Sequence, residues 1–320
     1  MTDISVVVPT RNRAARLRAL LASLAEQEAP EFEVIVVDNA SDDDTLSAVA
    51  DADAAAGAHI RAIRLPRPLG PAVARNHGWR SAGGELVVFT DDDVVARRGW
   101  LTALAAAHAR DPEAVIQGRT IPDPREAHRL SAFARSQQTS GPGPWFQTCN
   151  IAYPRSLLEE LAGFDESFWD AAGEDTDLGW RALERGTRVI YEPAAENWHA
   201  VHEPGAWALI HASQKWRLGV RNVARHPQLR KALHRGIFWK ESHERLLLAT
   251  AGMIAAMRVA RGAAAAAIAL AAVAAYAEAQ RSQHGSYVGT LAALPQHAAL
   301  DAAEIVAMLR GSVDAGTLVL

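Results

Sequence analysis

The stretch Glu85-Leu-Val-Val-Phe-Thr-Asp91-Asp92-Asp93 most constrains what this chain can fold into. The apolar run after Gly83-Gly84 reads as a buried strand, and that strand ends in three consecutive carboxylates. In an extended chain Asp91 and Asp93 leave the same face. Carboxylates so close repel one another and call for a compensating charge. A hard divalent cation shared with substrate phosphates meets that need, because such ions take oxygen ligands and keep open positions. The alternative is that Asp93 only caps a helix suggested over residues 96–109. Capping needs one aspartate, and here three stand where open α/β sheets bind their ligands.

Upstream, Ile4–Val8 is a strand run followed by the loop Pro9-Thr-Arg-Asn-Arg13, and Ala14, Leu17, Leu21 and Leu24 recur at helical spacing. A second strand, Phe32–Val37, ends in Asp38, with a helix start at Ser41–Asp44. Ile60–Leu65 is a third strand, and Gly70-Pro71 opens another helix with Pro at its first turn. Three strand–loop–helix units before the Glu85–Phe89 strand predict an α/β sheet with mainly parallel strands. Parallel strands deliver their C-terminal ends to one side, so Thr10–Arg13, Asp38 and Asp91–Asp93 are expected at a common edge. Asp38 can accept from a base or ribose there, although an Asp after a strand is also a common turn residue. Arg11 and Arg75 can complement phosphate charge.

The 320 residues are 49% hydrophobic and 22% charged with net charge −4, an ordinary globular balance that gives no reason to expect nucleic-acid binding. Cys149 is the sole cysteine, so no disulfide framework forms within the chain, in keeping with a reducing cytoplasm. The first strand begins almost at the N-terminus, and no signal peptide is expected.

Beyond Asp93 the pattern predicts a strand at 114–118, a helix over Glu126–Gln138, and a mixed aromatic and polar strand over Trp145–Tyr153 that lines a site or forms an exposed edge. Gly173-Glu174-Asp175-Thr176-Asp177 opens a helix running to Gly186. Acidic residues favour a first helical turn through the helix dipole, and Asp177 and Arg181 make an ordinary i,i+4 pair. The same position can hold an aspartate ionised, as a general base requires. His199 and His202 lack the partners of a zinc site, and one imidazole added to an aspartate and diphosphate metal site is the more natural reading. The alternative for either is a hydrogen-bonded structural histidine.

Taken in order, Val8-Pro9-Thr10-Arg11, Val37-Asp38-Asn39, Leu69-Gly70-Pro71 through Arg75-Asn76, Asp91-Asp92-Asp93, Gly163-Phe164-Asp165-Glu166 and Glu174-Asp175-Thr176-Asp177 resemble glycosyltransferase family 2, a group of inverting enzymes with the GT-A fold. The resemblance covers residues 4 to about 205. It implies a GT-A mixed sheet flanked by helices, with a catalytic domain over 1–225 (nucleotide-sugar half about 1–120, acceptor half about 121–225). It also implies that Asp38 contacts the base, Asp92 the ribose and Asp93 the metal, with Asp175 as catalytic base and Glu174 beside it at the acceptor. Pro9, Thr10, Arg11, Arg75, Asp91 and Asn150 complete the implied nucleotide-sugar site. His199, eight positions after Tyr191, stands where relatives often place a metal-binding histidine. The implied cofactor is Mn²⁺ or Mg²⁺, and the implied donor is a nucleoside-diphosphate sugar, UDP-linked by expectation. Cys149 before Asn150 departs from the glycine that many relatives carry and narrows the sugar pocket.

After about residue 225 the pattern changes to a mainly helical region over 226–320. A helical stretch from His243 to Met257, the break at Arg258–Arg261, and an alanine-rich run to Ala277 predict a helical hairpin packed on the catalytic domain or a partner subunit. The second run is about sixteen residues, short of the roughly twenty that a span needs. No transmembrane span is expected, and peripheral membrane contact at the inner face is the alternative. Two rivals to the transferase reading stand. A sugar-phosphate nucleotidyltransferase would carry a glycine-rich loop after its first strand, which Pro9–Arg13 lacks. A silent sugar-nucleotide binding module would have no use for a base at Asp175.

Overall fold

The computed structural model describes residues 3–29, 31–56, 59–259, 262–281 and 287–320. Two compact units emerge, residues 1–128 with 136–201, and residues 129–135 with 202–320.

The first unit is built on an eight-stranded mixed sheet. Strands β1 (Ile4–Thr10), β2 (Phe32–Asp38), β3 (His59–Arg64) and β4 (Leu86–Thr90) run parallel in the order β3-β2-β1-β4. The order continues β7 (Asn150–Pro154), β6 (Val115–Pro122), β8 (Val189–His199) and β5 (Val94–Ala96), with β7 antiparallel to both β4 and β6, and β5 antiparallel to β8. The central strands are buried on both faces, which explains their continuous apolar sequences. Val6 and Val8 enter one core with Leu17 and Leu21 of α1 (Ala14–Ala25) and Leu101 and Leu104 of α4 (Trp100–Arg110). Val7 and Phe89 enter the other, with Trp79 of α3 (Pro71–Arg80) and Leu178 of α6 (Glu174–Glu184). Helices α2 (Thr45–Ala56) and α5 (Arg155–Glu160) complete the layers. The register pairs Thr10 with Asp38, so β1 and β2 do deliver their loops to one edge.

Several sequence expectations are corrected. The sheet is mainly parallel only in its first half. No helix covers Glu126–Gln138: a 3₁₀ turn, Pro124–Arg129, is followed by irregular chain, and Thr139 exchanges backbone hydrogen bonds with Thr120 of β6 instead. Only Asn150–Pro154 of the Trp145–Tyr153 stretch is strand, and it is central and buried rather than an edge. Asp93 does not cap a helix, because β5 follows it and α4 starts at Trp100. Helix α2 begins at Thr45, where Asp43 accepts from the Thr45 N–H and hydroxyl.

A buried residue of α3 makes several of the ties to the motif Gly163–Glu166. Buried Asn76 donates to the Phe164 carbonyl and Glu166 (both 2.8 Å), and accepts from the Phe164 N–H (2.9 Å) and the Trp79 indole (2.8 Å). A Cβ on Gly163 would strike the same Asn76 and Trp79 atoms at 2.4 Å, and its φ of +71° disfavours a side chain in any case. Asn76→Ala strands several buried groups at once, so a loss of about 2–4 kcal/mol in urea unfolding is expected.

The second unit is helical: α7 (Gly205–Ala212), α8 (Arg217–Arg225), α9 (Glu241–Val259), α10 (Ala263–Gln280) and α11 (Tyr287–Ala315). The expected hairpin is α9 and α10, packed closely where a Cβ on Gly252 would sit 3.2 Å from that of Ala272. A third long helix, α11, follows within the region expected to be mainly helical. It packs on α7, α8 and α9. A buried polar cluster joins these helices: Asp301 accepts from the Tyr276 hydroxyl (2.8 Å) and the Gln280 amide (2.9 Å), while Glu304 meets His243 (3.0 Å) and Lys240 (2.5 Å). Burial alone would raise the Glu304 pKa, but His243 and Lys240 outweigh it and hold the carboxyl below its usual range. His243, Asp301 and Glu304 have metal-ligand spacing, yet Lys240 already supplies the positive charge.

Candidate functional site

The edge where β1, β2 and β4 end carries the carboxylates that the sequence predicts. Asp92 and Asp93 are buried, and Asp91 is partly exposed. Asp92 accepts from the Thr10 hydroxyl (2.7 Å) and from Arg13 (3.0 Å), and Arg13 also reaches Asp93 at 2.7 Å. Desolvation, followed by the Asp93 charge, pushes the Asp92 pKa up to about 6 despite the opposing pull of Arg13. Arg13, expected at this edge only as part of the loop Thr10–Arg13, is the arginine of that loop that meets the carboxylates. Arg11 is exposed, and Pro9 is half-buried beside buried Thr10.

The metal-ligand reading rests on β5. Its antiparallel pairing puts Val94 opposite His199, and the Asp93 carbonyl accepts the Ala200 N–H at 2.9 Å. His199 Nε2 consequently lies 3.4 Å from Asp93 Oδ1. The Nδ1 of His199 is 2.9 Å from the Ala200 carbonyl, which can only accept, and a proton donated there leaves Nε2 as the ring nitrogen that faces Asp93. Ligand atoms of Asp91, Asp93 and His199 fall within 4.8 Å of one another. Two carboxylates and one imidazole suit a divalent ion such as Mn²⁺. Of the two histidines, His199 is the one this cluster contains.

A second group of charges meets at the start of α6. Buried Arg75 bridges Glu174 (2.7 Å) and Asp91 (3.2 Å). The other Glu174 oxygen accepts the Ala172 N–H at 3.0 Å, so both its oxygens are engaged. Asp175 is anchored differently: its Oδ1 accepts the Thr176 N–H at 2.7 Å, and the side chain retains partial access to solvent. Desolvation, then the Glu174 charge, raises the Asp175 pKa well above the usual carboxylate range, while Arg75 pulls it back. Asp177 is instead held by Arg181 at 2.8 Å, the i,i+4 pair read from the sequence.

Asp38 ends β2 fully buried. Its Oδ1 accepts the Ser41 N–H (2.8 Å), while among the described residues Oδ2 has no hydrogen-bond partner and only Arg64 approaches, at 3.7 Å. Asn150 is not brought to the site mouth. Its amide accepts from the Trp100 indole (2.9 Å) and donates to the Arg119 and Ala195 carbonyls (both 2.8 Å). A Cβ on Gly118 would collide with that amide at 2.4 Å, which is why glycine stands there. Cys149 is buried, with its sulfur 3.6 Å from the Thr120 hydroxyl.

This constellation can be compared with known proteins. The sequence profile of "Glycosyl transferase family 2" matches residues 5–161, and that of "Glycosyl transferase family group 2" matches residues 86–277. The chain belongs to glycosyltransferase family 2. Among its relatives, the pre-mycofactocin glycosyltransferase of Mycobacterium tuberculosis is 35% identical over 208 residues, covering 60% of this chain and 42% of the relative. The chain thus spans about two fifths of that protein's length. The validoxylamine A glucosyltransferase of Streptomyces hygroscopicus subsp. jinggangensis is 31% identical over 286 residues, covering 76% of this chain and 67% of the relative. Among solved structures, a mannosyltransferase from Pyrobaculum calidifontis in complex with GDP-Man and Mn²⁺ superposes with a TM-score of 0.63 at 25% identity, covering 97% of this chain and 87% of the other. These likenesses bear out the GT-A architecture, with its mixed sheet and helical C-terminal region.

Proposed function

We propose that the chain is a metal-dependent, inverting glycosyltransferase that moves a sugar from a nucleoside-diphosphate sugar, UDP-linked, to an acceptor hydroxyl or amine. The observation that carries this reading is the pairing of two carboxylate centres along one sheet edge, Asp91–Asp93 with His199 and Glu174–Asp175, coupled through Arg75. The mannosyltransferase neighbour, in complex with GDP-Man and Mn²⁺, supports it. Asp91, Asp93 and His199 would hold the divalent ion. When bound, such an ion neutralises charge developing on a diphosphate leaving group.

The chain's own residues divide the remaining work. Asp38 has one oxygen already committed to Ser41 and one left to accept. A single acceptor matches the one imide N–H of uracil better than the adjacent N–H pair of guanine, and this favours UDP. Thr10 and Arg13 fix Asp92 in position to reach a ribose. Arg75 locks Glu174 in place, which leaves Asp175 to take the acceptor proton. One base acting opposite the leaving group gives a single displacement with inversion, unlike the two-carboxylate chemistry of glycosidases. The enclosed, like-charged setting of Asp175 makes it a stronger base than an ordinary aspartate.

A panel of UDP- and GDP-sugars with Mn²⁺ or Mg²⁺, read by thermal shift and by release of free nucleotide, tests the reading. UDP-sugars with Mn²⁺ are expected to raise the melting temperature and to turn over, and excess EDTA is expected to abolish both effects. Undiminished turnover in EDTA would remove the metal from the proposal, and stabilisation by GDP-sugars alone would overturn the assignment to UDP.

A further inference from the structure

The helical hairpin in the second unit carries a surface that transfer chemistry does not explain. Helix α10 has a mean hydropathy of 1.4, and only 11% of it is buried. It exposes Ile268 and Leu270, while α9 exposes Leu247, Leu248, Ile254 and Met257, the last two near the hairpin turn. Met257 and Leu270 are 77% and 70% exposed, far beyond scattered surface apolar residues in extent.

Charge indicates what covers this face. Residues 129–135 and 202–320 contain fifteen Lys and Arg against seven Asp and Glu, although the whole chain is at net −4. No acidic residue occurs between Glu244 and Glu278, whereas Arg245, Arg258 and Arg261 do. The acidic groups of the hairpin, Glu241, Glu244 and Glu278, lie at the end away from the turn, so the end with exposed Met257 and Arg258 is apolar and basic only. A two-fold contact between copies through this face would set two strongly positive units against each other. A membrane crossing fits poorly, because α10 is about 27 Å long at 1.5 Å per residue, against a core of roughly 30 Å. The α9 sequence between Arg245 and Arg258 is shorter still.

We infer that the α9–α10 hairpin docks the protein on an anionic lipid surface, its turn end lowered into the headgroup layer with the basic residues at the phosphates. The inference does not depend on the identity of donor or acceptor, and its test does not read activity. The full chain is floated with vesicles of phosphatidylcholine alone and of equimolar phosphatidylcholine and phosphatidylglycerol. Binding to the mixed vesicles is expected, weakened by high salt, with little to phosphatidylcholine alone. The exposed-site variants Ile254→Glu, Met257→Glu and Leu270→Glu, combined, are expected to lower the bound fraction roughly tenfold or more at unchanged circular dichroism and melting temperature. Equal binding by wild type and variant, or no binding to either vesicle, overturns the inference. So does a wild-type dimer that the same substitutions split in the absence of lipid, which would assign the face to a second copy. Retention on vesicles through alkaline carbonate would make α10 a true span and overturn it as well.

Discussion

Asp175→Asn is expected to lower kcat by about three orders of magnitude while leaving donor Kd within roughly twofold, the pattern of an interaction needed only at proton transfer. Asn preserves the shape of the side chain and its acceptance of the Thr176 N–H, but cannot take a proton. The neighbouring carboxylates serve as internal controls. Asp177→Asn weakens the pair with Arg181 and should cost little rate. Glu174→Gln weakens the hold of Arg75 and should act on both kcat and stability, because that pair is buried. The wild-type profile supplies a further check. A base whose pKa is raised to about 7 must lose its proton before it acts, so kcat should climb with pH along a limb centred well above where an ordinary aspartate would put it. Measured kcat and donor Kd for the three variants decide the assignment, and a near-normal kcat for Asp175→Asn would move the base elsewhere.

The second large effect is expected at Asp93. Asp93→Ala removes a carboxylate from the cluster with Asp91 and His199 and also leaves Arg13 with Asp92 alone. A loss of about 10³ in transfer is expected, equivalent to roughly 4 kcal/mol of transition-state stabilisation, with Mn²⁺ affinity down by about 10- to 100-fold. Metal titration by calorimetry separates this from misfolding, because relief of crowding among the three aspartates should leave the melting temperature unchanged or raise it. An Asp93→Ala protein that binds Mn²⁺ and transfers sugar like the wild type would refute the ligand set.

How much of this was legible in the sequence depends on where the information lies. The parallel half was readable, since β1, β2 and β4 are buried on both faces and their loops are short. So was the pairing of Asp177 with Arg181, which is local. Which nearby arginine meets Asp92 and Asp93 was not readable, because Arg11, Arg13 and Arg16 share one short stretch and only the path of the loop after β1 selects among them. Strand β5 was invisible for a related reason: Val94–Ala96 is three residues long and exists only because β8 pairs with it. The segment 126–138 failed in the opposite way. Its alanines, Leu130 and Phe133 have helical character, but Thr139 is hydrogen-bonded to β6, and the tertiary pairing overrides the propensity. Asn150 shows a further limit, because a polar residue at a strand start reads the same whether it faces a ligand or satisfies buried carbonyls.

The antiparallel pairing of β5 with β8 has a consequence for which changes of length the chain can accept. His199 is located by counting back from Val94 across that pair, not by its distance along the chain from Tyr191. A single-residue insertion between 191 and 198 would turn the imidazole to the opposite face of the sheet unless a bulge absorbed it. The chain at 140–143 has no such counting rule between its anchors at Thr139 and Pro144, whose carbonyl accepts from the Trp180 indole. Homologues should therefore vary freely in length across that segment and hardly at all across the last residues of β8, and loop grafts meant to change acceptor choice belong in the former.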